Sequence, residues 1–489
     1  MNLRQISIAR ICIMTCAVAV SGTPAFAGIR ETVVFQSGED YHTYRIPTVI
    51  KAANGDILAF AEARASQGDA SEIDIVMKRS TDSGRTWESL QVVKDSALFT
   101  NLFPAGNVPP ITVGNQSPVV DQLDPEHPGR IWMPFTLEND RVFVTSSDDH
   151  GATWSPHVEV TSAVKQPNWG WYATGPVHGI QLTRGDHAGR LLIPSDHRRS
   201  DTTAWGSHVM YSDDHGQSWQ LGAIDTRLNG EPVFPNENVA TELLDGRIYF
   251  NARDQNNSTA GNRAIAYSSD GGISYDAPFT ADLQFTTPVV QNSVLRFSAT
   301  DQGDPQNILI HSGPGQANSR ADLTIRASLD EGKTWLAPTV VHPGPAAYSD
   351  LVKLSDGQIG VLFEAGPTLY NQILFGYFDY ADLNPLPFNG LNGDVDQNGV
   401  LDHHDLNKFV SGWRQRGMAF YFGGQDSYTN GDLDFDGSVD LYDALLLRQH
   451  AMSAGLGTAV LDVAVRGVPE PSTVVMSAIA LLTWLRSRT

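Results

Sequence analysis

Ser147-Asp148-Asp149-His150-Gly151-Ala152-Thr153-Trp154 is the stretch that decides the architecture, because the chain writes the same phrase four more times. The other copies are Ser80-Thr81-Asp82-Ser83-Gly84-Arg85-Thr86-Trp87, Ser212–Trp219, Ser268–Tyr275 and Ser328–Trp335. Asp, Gly and Ser/Thr at these offsets make a turn through side-chain-to-backbone hydrogen bonds and a permissive φ, and the closing aromatic anchors the turn in its sheet. The aspartates of successive boxes, Asp82, Asp149, Asp214, Asp270 and Asp330, lie 67, 65, 56 and 60 residues apart. Ile73–Lys78, Arg141–Thr145, Arg263–Tyr267 and Leu323–Ala327 read as strands leading into a box. That period predicts an all-β propeller with blades of four strands, and at about 60 residues per blade residues 28–385 hold six. Five boxes for six blades imply that one box is degenerate. The box aspartates are read as turn-makers and not as catalysts.

The rest of the composition agrees with a folded, exported chain. Its 489 residues, 41% hydrophobic and 18% charged, allow a large core and exclude a disordered or coiled-coil protein. With 33 Lys+Arg against 55 Asp+Glu the formal charge is −22, which argues against nucleic acid as a partner. Residues 1–27 carry Arg4 and Arg10, the apolar run Ile11–Val20 and then Ala25-Phe26-Ala27, the pattern of a secretory signal peptide. Both cysteines, Cys12 and Cys16, fall inside it, so the mature chain would have no thiol for disulfides, nucleophilic catalysis or metal binding. At the other end Val468-Pro469-Glu470-Pro471-Ser472 precedes an apolar stretch, Val474–Leu485, and then Arg486 and Arg488. The stretch is short of the roughly 20 residues of a membrane span. Residues 468–489 resemble a PEP-CTERM sorting signal, which implies transient membrane contact and a secreted or envelope-associated product.

Between the boxes lies a second ordered set: Tyr44-Arg45-Ile46-Pro47, Ala61-Glu62-Ala63-Arg64-Ala65-Ser66 followed by Asp69, Asn236-Glu237-Asn238, Asn251-Ala252-Arg253, Ser319-Arg320-Ala321-Asp322-Leu323, Ala347-Tyr348-Ser349-Asp350-Leu351 and Phe363-Glu364. The set resembles the exo-α-sialidases of glycoside hydrolase family 33 over nearly all of residues 28–385. The resemblance implies that Arg45, Arg253 and Arg320 grip a substrate carboxylate and that Arg64 contacts the O4 region of the sugar. It makes Asp69 the general acid/base, Tyr348 the nucleophile, Glu237 its base and Glu364 the carboxylate that orients Arg45. Glu62, beside Arg64, is the competing candidate for the acid. Gly175-Pro176-Val177-His178-Gly179-Ile180-Gln181 also looks family-like but suggests no chemistry.

The chemistry asks for such a set. A sialoside bears its carboxylate on the anomeric carbon, and arginine supplies the planar, bidentate donors that lysine lacks. Clustered arginines repel one another, so a carboxylate such as Glu364 is needed among them. A second carboxylate attacking that carbon would meet like charge, whereas a tyrosine arrives neutral and hands its proton to a base. The arginines are expected to lower the phenol's pKa. The activity implied is retaining hydrolysis of terminal α-linked sialic acids from glycans, with no cofactor for catalysis. A trans-sialidase shares every residue named, and a non-hydrolytic sialoglycan-binding propeller is the alternative from another class. A chain of net negative charge gains nothing from long-range steering of an anionic substrate, so the arginine cluster must act at short range.

After Asn384-Pro385-Leu386-Pro387 the pattern changes. Asp394, Asp396, Asn398, Val400, Asp402 and Asp405 stand at the ligand positions of an EF-hand loop with Gly399 at its sixth place. Asp432, Asp434, Asp436, Ser438, Asp440 and Asp443 repeat the arrangement 38 residues later. Each loop runs into an apolar segment, Leu406–Val410 and Leu441–Arg448, read as helices. Ten aspartates against four basic residues in 390–452 would repel unless two Ca²⁺ ions offset them. Residues 390–452 resemble a type I dockerin, which implies a small α-helical calcium module and a cohesin-type protein partner.

Overall fold

Six antiparallel sheets, each of four or five strands, account for residues 30–379. The computed structural model describes residues 29–383 apart from 107, 227–232, 258–260, 305 and 356, together with 393–413, 428–433 and 439–461. The signal segment 1–27, the sorting segment 468–489, the stretch 384–392 and the ligand candidates Asp434, Asp436 and Ser438 lie outside the described residues.

The first blade shows how sequence becomes sheet. Thr43–Lys51, Ile57–Arg64, Ile73–Ser80 and Gln91–Lys94 pair in that order. The second strand is buried along its whole length, as a strand sandwiched between two neighbouring sheets must be. Blades two to five repeat the plan, with inner strands that include Val119–Asp121, Trp169–Thr174, Pro235–Glu242 and Ser293–Ser298. Apolar residues from adjacent blades merge into shared clusters, such as Leu58, Phe60 and Met77 of the first blade with Ile131 and Phe135 of the second. Most apolar clusters lie between two neighbouring blades, while a small one of Ile46, Val290, Ala347 and Tyr348 joins parts of the ring that are further apart.

The five boxes each join the third strand of a blade to its fourth, and their hydrogen bonds follow the turn chemistry. Ser80 Oγ donates to Asp82 Oδ1 at 2.8 Å, while Thr86 donates its N–H to Oδ1 and its hydroxyl to Oδ2 at 2.8 and 2.7 Å. Burial opposes charge on Asp82, but these bonds prevail and hold its carboxyl at about 2. With both oxygens committed to the turn, these aspartates are structural. The tryptophans of the first three boxes reach into the preceding blade. Trp87 Nε1 donates to Thr32 Oγ1 of the sixth blade at 3.0 Å, and the Trp154 and Trp219 rings meet Phe60 and Trp132 of the preceding blades. Gly84 has φ +84° and Gly216 φ +81°, and a Cβ on either would fall 2.0 or 2.1 Å from Phe375 or Trp132 of the blade before. The box is therefore a blade-to-blade clasp as well as a turn.

The expectation of a degenerate sixth box is corrected. Ser349–Ser355, Gln358–Ala365 and Gln372–Asp379 make three strands of the sixth blade, and the fourth is Arg30–Gln36 from the start of the propeller. No chain links third strand to fourth there, so there is no turn for a box to make. Pairing from Arg30↔Tyr377 to Gln36↔Gln372 closes the ring.

On the axis, Asp350 is fully buried and ties four blades. It accepts from Val49 N at 2.9 Å, His178 Nδ1 at 2.7 Å and Ser293 Oγ at 2.9 Å. Burial disfavours the His178 imidazolium, but the Asp350 charge outweighs it and raises the histidine's pKa. This gives the Gly175–Gln181 segment its role as an axial strut.

Past the propeller, helices span His403–Gly412 and Leu441–Ser453, each longer than the apolar segments Leu406–Val410 and Leu441–Arg448 suggest. Asp402 and Asp440 are their N-caps, and Asp405 and Asp443 complete capping boxes, which starts the first helix three residues early. Val395, Leu406, Phe409, Val439, Ala444 and Leu447 share one apolar cluster. Among the described residues no helix is long and apolar enough to cross a membrane.

Candidate active site

Register fixes which end of the ring can carry chemistry. Ile57 pairs with Ser80 at the box end of the first blade, whereas Arg45 faces Glu62 and Arg64 faces Ile73 at the other end. The opposite end therefore collects the starts of inner strands and the ends of second strands. Arg45, Glu237 and Tyr348 come from the former, and Arg64, Arg253 and Glu364 from the latter. Arg320 stands just before a third strand, Ala321–Ser328, and Asp69 follows the second strand of the first blade on a connecting loop. All eight sequence-derived residues of the sialidase set are thus at the end away from the boxes.

Side-chain contacts join them into two linked groups. Tyr348 Oη donates to Glu237 Oε1 at 2.5 Å, and Arg253 Nη1 donates to Glu237 Oε2 at 2.7 Å and to Tyr348 Oη at 2.9 Å. Glu364 is wholly buried and accepts from Arg45 Nε at 2.6 Å, from Ile46 N at 3.0 Å and from Tyr348 N at 3.2 Å. One carboxylate thus orients Arg45 and also pins the backbone of the candidate nucleophile. Arg45 and Arg320 lie 5.4 and 5.5 Å from the centre of the Tyr348 ring. Ile46 holds φ 57°, a left-handed conformation rare for a β-branched residue, and Glu364 accepting its N–H helps maintain it.

The expected lowering of the Tyr348 pKa is corrected. Burial and the Glu237 charge raise it above the ordinary phenol value, and the opposing charges of Arg253, Arg320 and Arg45 do not compensate. The phenol in the free protein is a neutral donor to Glu237, with no phenolate held in readiness.

Arg64 is buried between two carboxylates. It donates from Nη2 to Glu62 Oε2 at 2.5 Å and from Nη1 to Asp69 Oδ1 at 2.6 Å. Glu62 is 3% exposed and also accepts from Asn115 N at 2.9 Å, which makes it the anchor of Arg64. The Asp69 side chain is 80% exposed. Partial burial pushes its pKa up, but the Arg64 hydrogen bond and the charges of Arg64, Arg45 and Arg320 bring it below the usual carboxylate value.

Two residues escaped the sequence reading. Asp196 is 1% exposed behind Glu237 and accepts from Asn236 Nδ2 at 2.8 Å. Burial and the Glu237 charge drive its carboxyl far above the usual range. Tyr370, on the turn between two strands of the sixth blade, accepts from Arg320 Nη1 at 2.7 Å. Neither belongs to a motif; their partners lie 40 and 50 residues away in the chain.

In the C-terminal region Asp394, Asp396 and Asp405 bring carboxylate oxygens within 4.8 Å of one another. Burial and the charges of Asp394 and Asp396 raise the pKa of Asp405, the like-charge crowding that a divalent cation relieves. Asn398 Oδ1 accepts from Val400 N at 2.9 Å, and Asp402 accepts from His404 N at 2.6 Å as the helix cap. Of the second loop, Asp432 and Asp443 are buried and Asp440 caps its helix.

Residues 127–361 match the family described as a BNR repeat-like domain. A "Sialidase" of Micromonospora viridifaciens is 31% identical over 374 residues, covering 72% of this chain and 55% of the relative. A "Sialidase" of Bacteroides fragilis is 28% identical over 358 residues, covering 68% and 62%, so the chain spans little more than half the length of these two relatives. "Sialidase-2" of Mus musculus, 28% identical over 389 residues, is covered over 98% of its length. Among solved structures, the Hadza microbial sialidase Hz136 superposes with a TM-score of 0.60 at 26% identity, covering 72% of this chain and 68% of that one.

Proposed function

We propose that the chain is an exo-α-sialidase, a glycoside hydrolase that releases terminal α-linked sialic acids from glycans with retention of configuration. The observation that carries the reading is the Tyr348–Glu237 hydrogen bond at 2.5 Å, made beside three arginines. Binding alone has no use for a phenol paired with a half-buried carboxylate; displacement at an anionic carbon does.

On this reading Arg45, Arg253 and Arg320 take the substrate carboxylate. Tyr348 attacks the anomeric carbon as its proton passes to Glu237, which suits a phenol whose burial keeps it neutral until the bond forms. Asp69 protonates the departing oxygen and later activates water. In the free protein it is ionised, held down by arginine charge. A bound substrate carboxylate neutralises Arg45 and Arg320, so the proton affinity of Asp69 rises when it is needed. Arg64 holds Asp69 and faces the O4 side of the sugar.

The proposal extends to the ends of the chain. The signal-like segment 1–27 and the PEP-CTERM-like segment 468–489 support export, with transient membrane contact at the C-terminus. The paired loops and helices of residues 390–452 support a dockerin-like module that binds two Ca²⁺ ions and a cohesin-type partner; the crowding of Asp394, Asp396 and Asp405 fits such an ion. Calcium there would fold the module and supply nothing to catalysis.

Incubation with sialyllactoses of α2,3 and α2,6 linkage tests the activity. Release of free sialic acid is the expected result. Transfer to lactose without release would make the chain a trans-sialidase, and binding without turnover would make it a lectin.

A further inference from the structure

Three arginines of one charge are held in two different ways. Arg253 leans on Glu237 and Arg45 on Glu364, each through an ion pair. Arg320 is held by two neutral oxygens, Tyr370 Oη at 2.7 Å and Val289 O at 3.1 Å. Tyr370 also serves Arg45, whose guanidinium lies 4.0 Å from the centre of the Tyr370 ring, close cation–π range.

We infer that Tyr370 is a positioning residue that sets the spacing between Arg45 and Arg320, with its ring against one guanidinium and its hydroxyl accepting from the other. The inference rests on the sialidase reading, since it concerns the grip on the substrate carboxylate.

The backbone around Tyr370 is shaped for that task. The residue holds φ 68°, where an aromatic side chain is rare. Ser37 Oγ donates to its carbonyl at 2.8 Å and Ser37 N to Asn371 O at 3.0 Å, so the turn is fastened to the end of the ring-closing strand. Beside the ring opens a recess of about 280 Å³ bordered by His42, Thr43, Gln67 and Asn371. The half-exposed residue packs against the cluster of Ile46, Val290, Ala347 and Tyr348, and the two arginines add fixed polar contacts to that packing. Tyr348 is bordered by the same pair of guanidinium groups. The arginines therefore stand between two tyrosines, one assigned to attack and the other to spacing. A neutral spacer also leaves the positive charge of Arg320 unspent for the ligand, which a carboxylate partner would partly cancel.

The test uses the full chain, with Tyr370→Phe and Tyr370→Leu measured on 3′-sialyllactose and by inhibition with 2-deoxy-2,3-didehydro-N-acetylneuraminic acid. Tyr370→Phe keeps the ring but loses the bond to Arg320, and KM and the inhibition constant should rise about tenfold with kcat within about twofold, the scale of one hydrogen bond to a charged group. Tyr370→Leu loses both contacts and should raise them further. Unchanged KM and inhibition constants in Tyr370→Phe would overturn the inference, as would a fall in kcat alone. Should Tyr370→Leu fail to fold, the phenylalanine variant decides. A wild-type chain that releases no sialic acid would instead sink the functional reading.

Discussion

Tyr348 and Glu364 meet through the backbone: the amide of the candidate nucleophile donates to the same carboxylate that fixes Arg45, at 3.2 Å. Substrate grip and nucleophile position thus depend on one buried side chain. Glu364→Ala should strip the buried Arg45 guanidinium of its close partner, leaving only Asp69 at 3.9 Å, and destabilise the protein by about 3 kcal/mol. Urea unfolding would measure it, and activity should fall with it even at temperatures where the variant stays folded.

Tyr348→Phe should retain affinity for sialic acid and lose turnover by at least about 100-fold. Glu237→Gln should lose turnover to a similar degree, because the phenol is kept neutral by burial and by the Glu237 charge, and among the described residues Glu237 is the acceptor of its proton. A 3-fluorosialosyl fluoride should label Tyr348, read by peptide mass spectrometry; labelling of Glu237 or Asp69 would overturn the assignment.

Asp69 gives a pH prediction with a definite sign. Its free-protein pKa is lowered because the Arg64 bond and three arginine charges outweigh partial burial. As the acid it must carry a proton, so kcat/KM, which reports the free protein, should decline from a low pH upward. Once substrate neutralises Arg45 and Arg320, the decline in kcat should come at higher pH. Coincident profiles would remove the arginine linkage. Asp69→Asn should cost far more on sialyllactose than on an activated aryl sialoside, whose leaving group needs little protonation.

A turn glycine and a box glycine separate strain from crowding. Gly38 has φ +89° with open space around a Cβ, whereas Gly216 has φ +81° with Trp132 at 2.1 Å. Gly38→Ala should cost about 1 kcal/mol from the backbone alone. Gly216→Ala adds overpacking between blades and should cost about 3 kcal/mol or more. Chemical denaturation of the two variants would compare them.

Chelation should abolish a separate unfolding transition belonging to residues 390–452 while sialic acid release continues unchanged. Calorimetry and the sialyllactose assay on the same sample would read both.

What the sequence disclosed follows from the range of the interaction. A box is written within eight consecutive residues, so turn and period are legible without a partner. The arginines and Tyr348 were recognisable because each sits in a local phrase at a strand end. Tyr370 and Asp196 have no such phrase; their meaning comes from Arg320, Arg45 and Asn236, brought to them by the ring. The direction of the Tyr348 shift is hidden from the sequence for a related reason, since a count of arginines captures their charge but not the burial that opposes it. The missing sixth box was a matter of topology, because the strand it would lead to is contributed from the other end of the propeller.

That exchange of a strand has a consequence for how the protein is made. Arg30 leaves the ribosome almost 350 residues before the Tyr377 it pairs with, so the first strand must wait, edge exposed, until the sixth blade has been synthesised. Ser37, directly after that strand, fastens the turn that carries Tyr370. Closing the circle and completing the anion grip are then one event, and a half-finished chain should be catalytically silent however many of its blades have already formed.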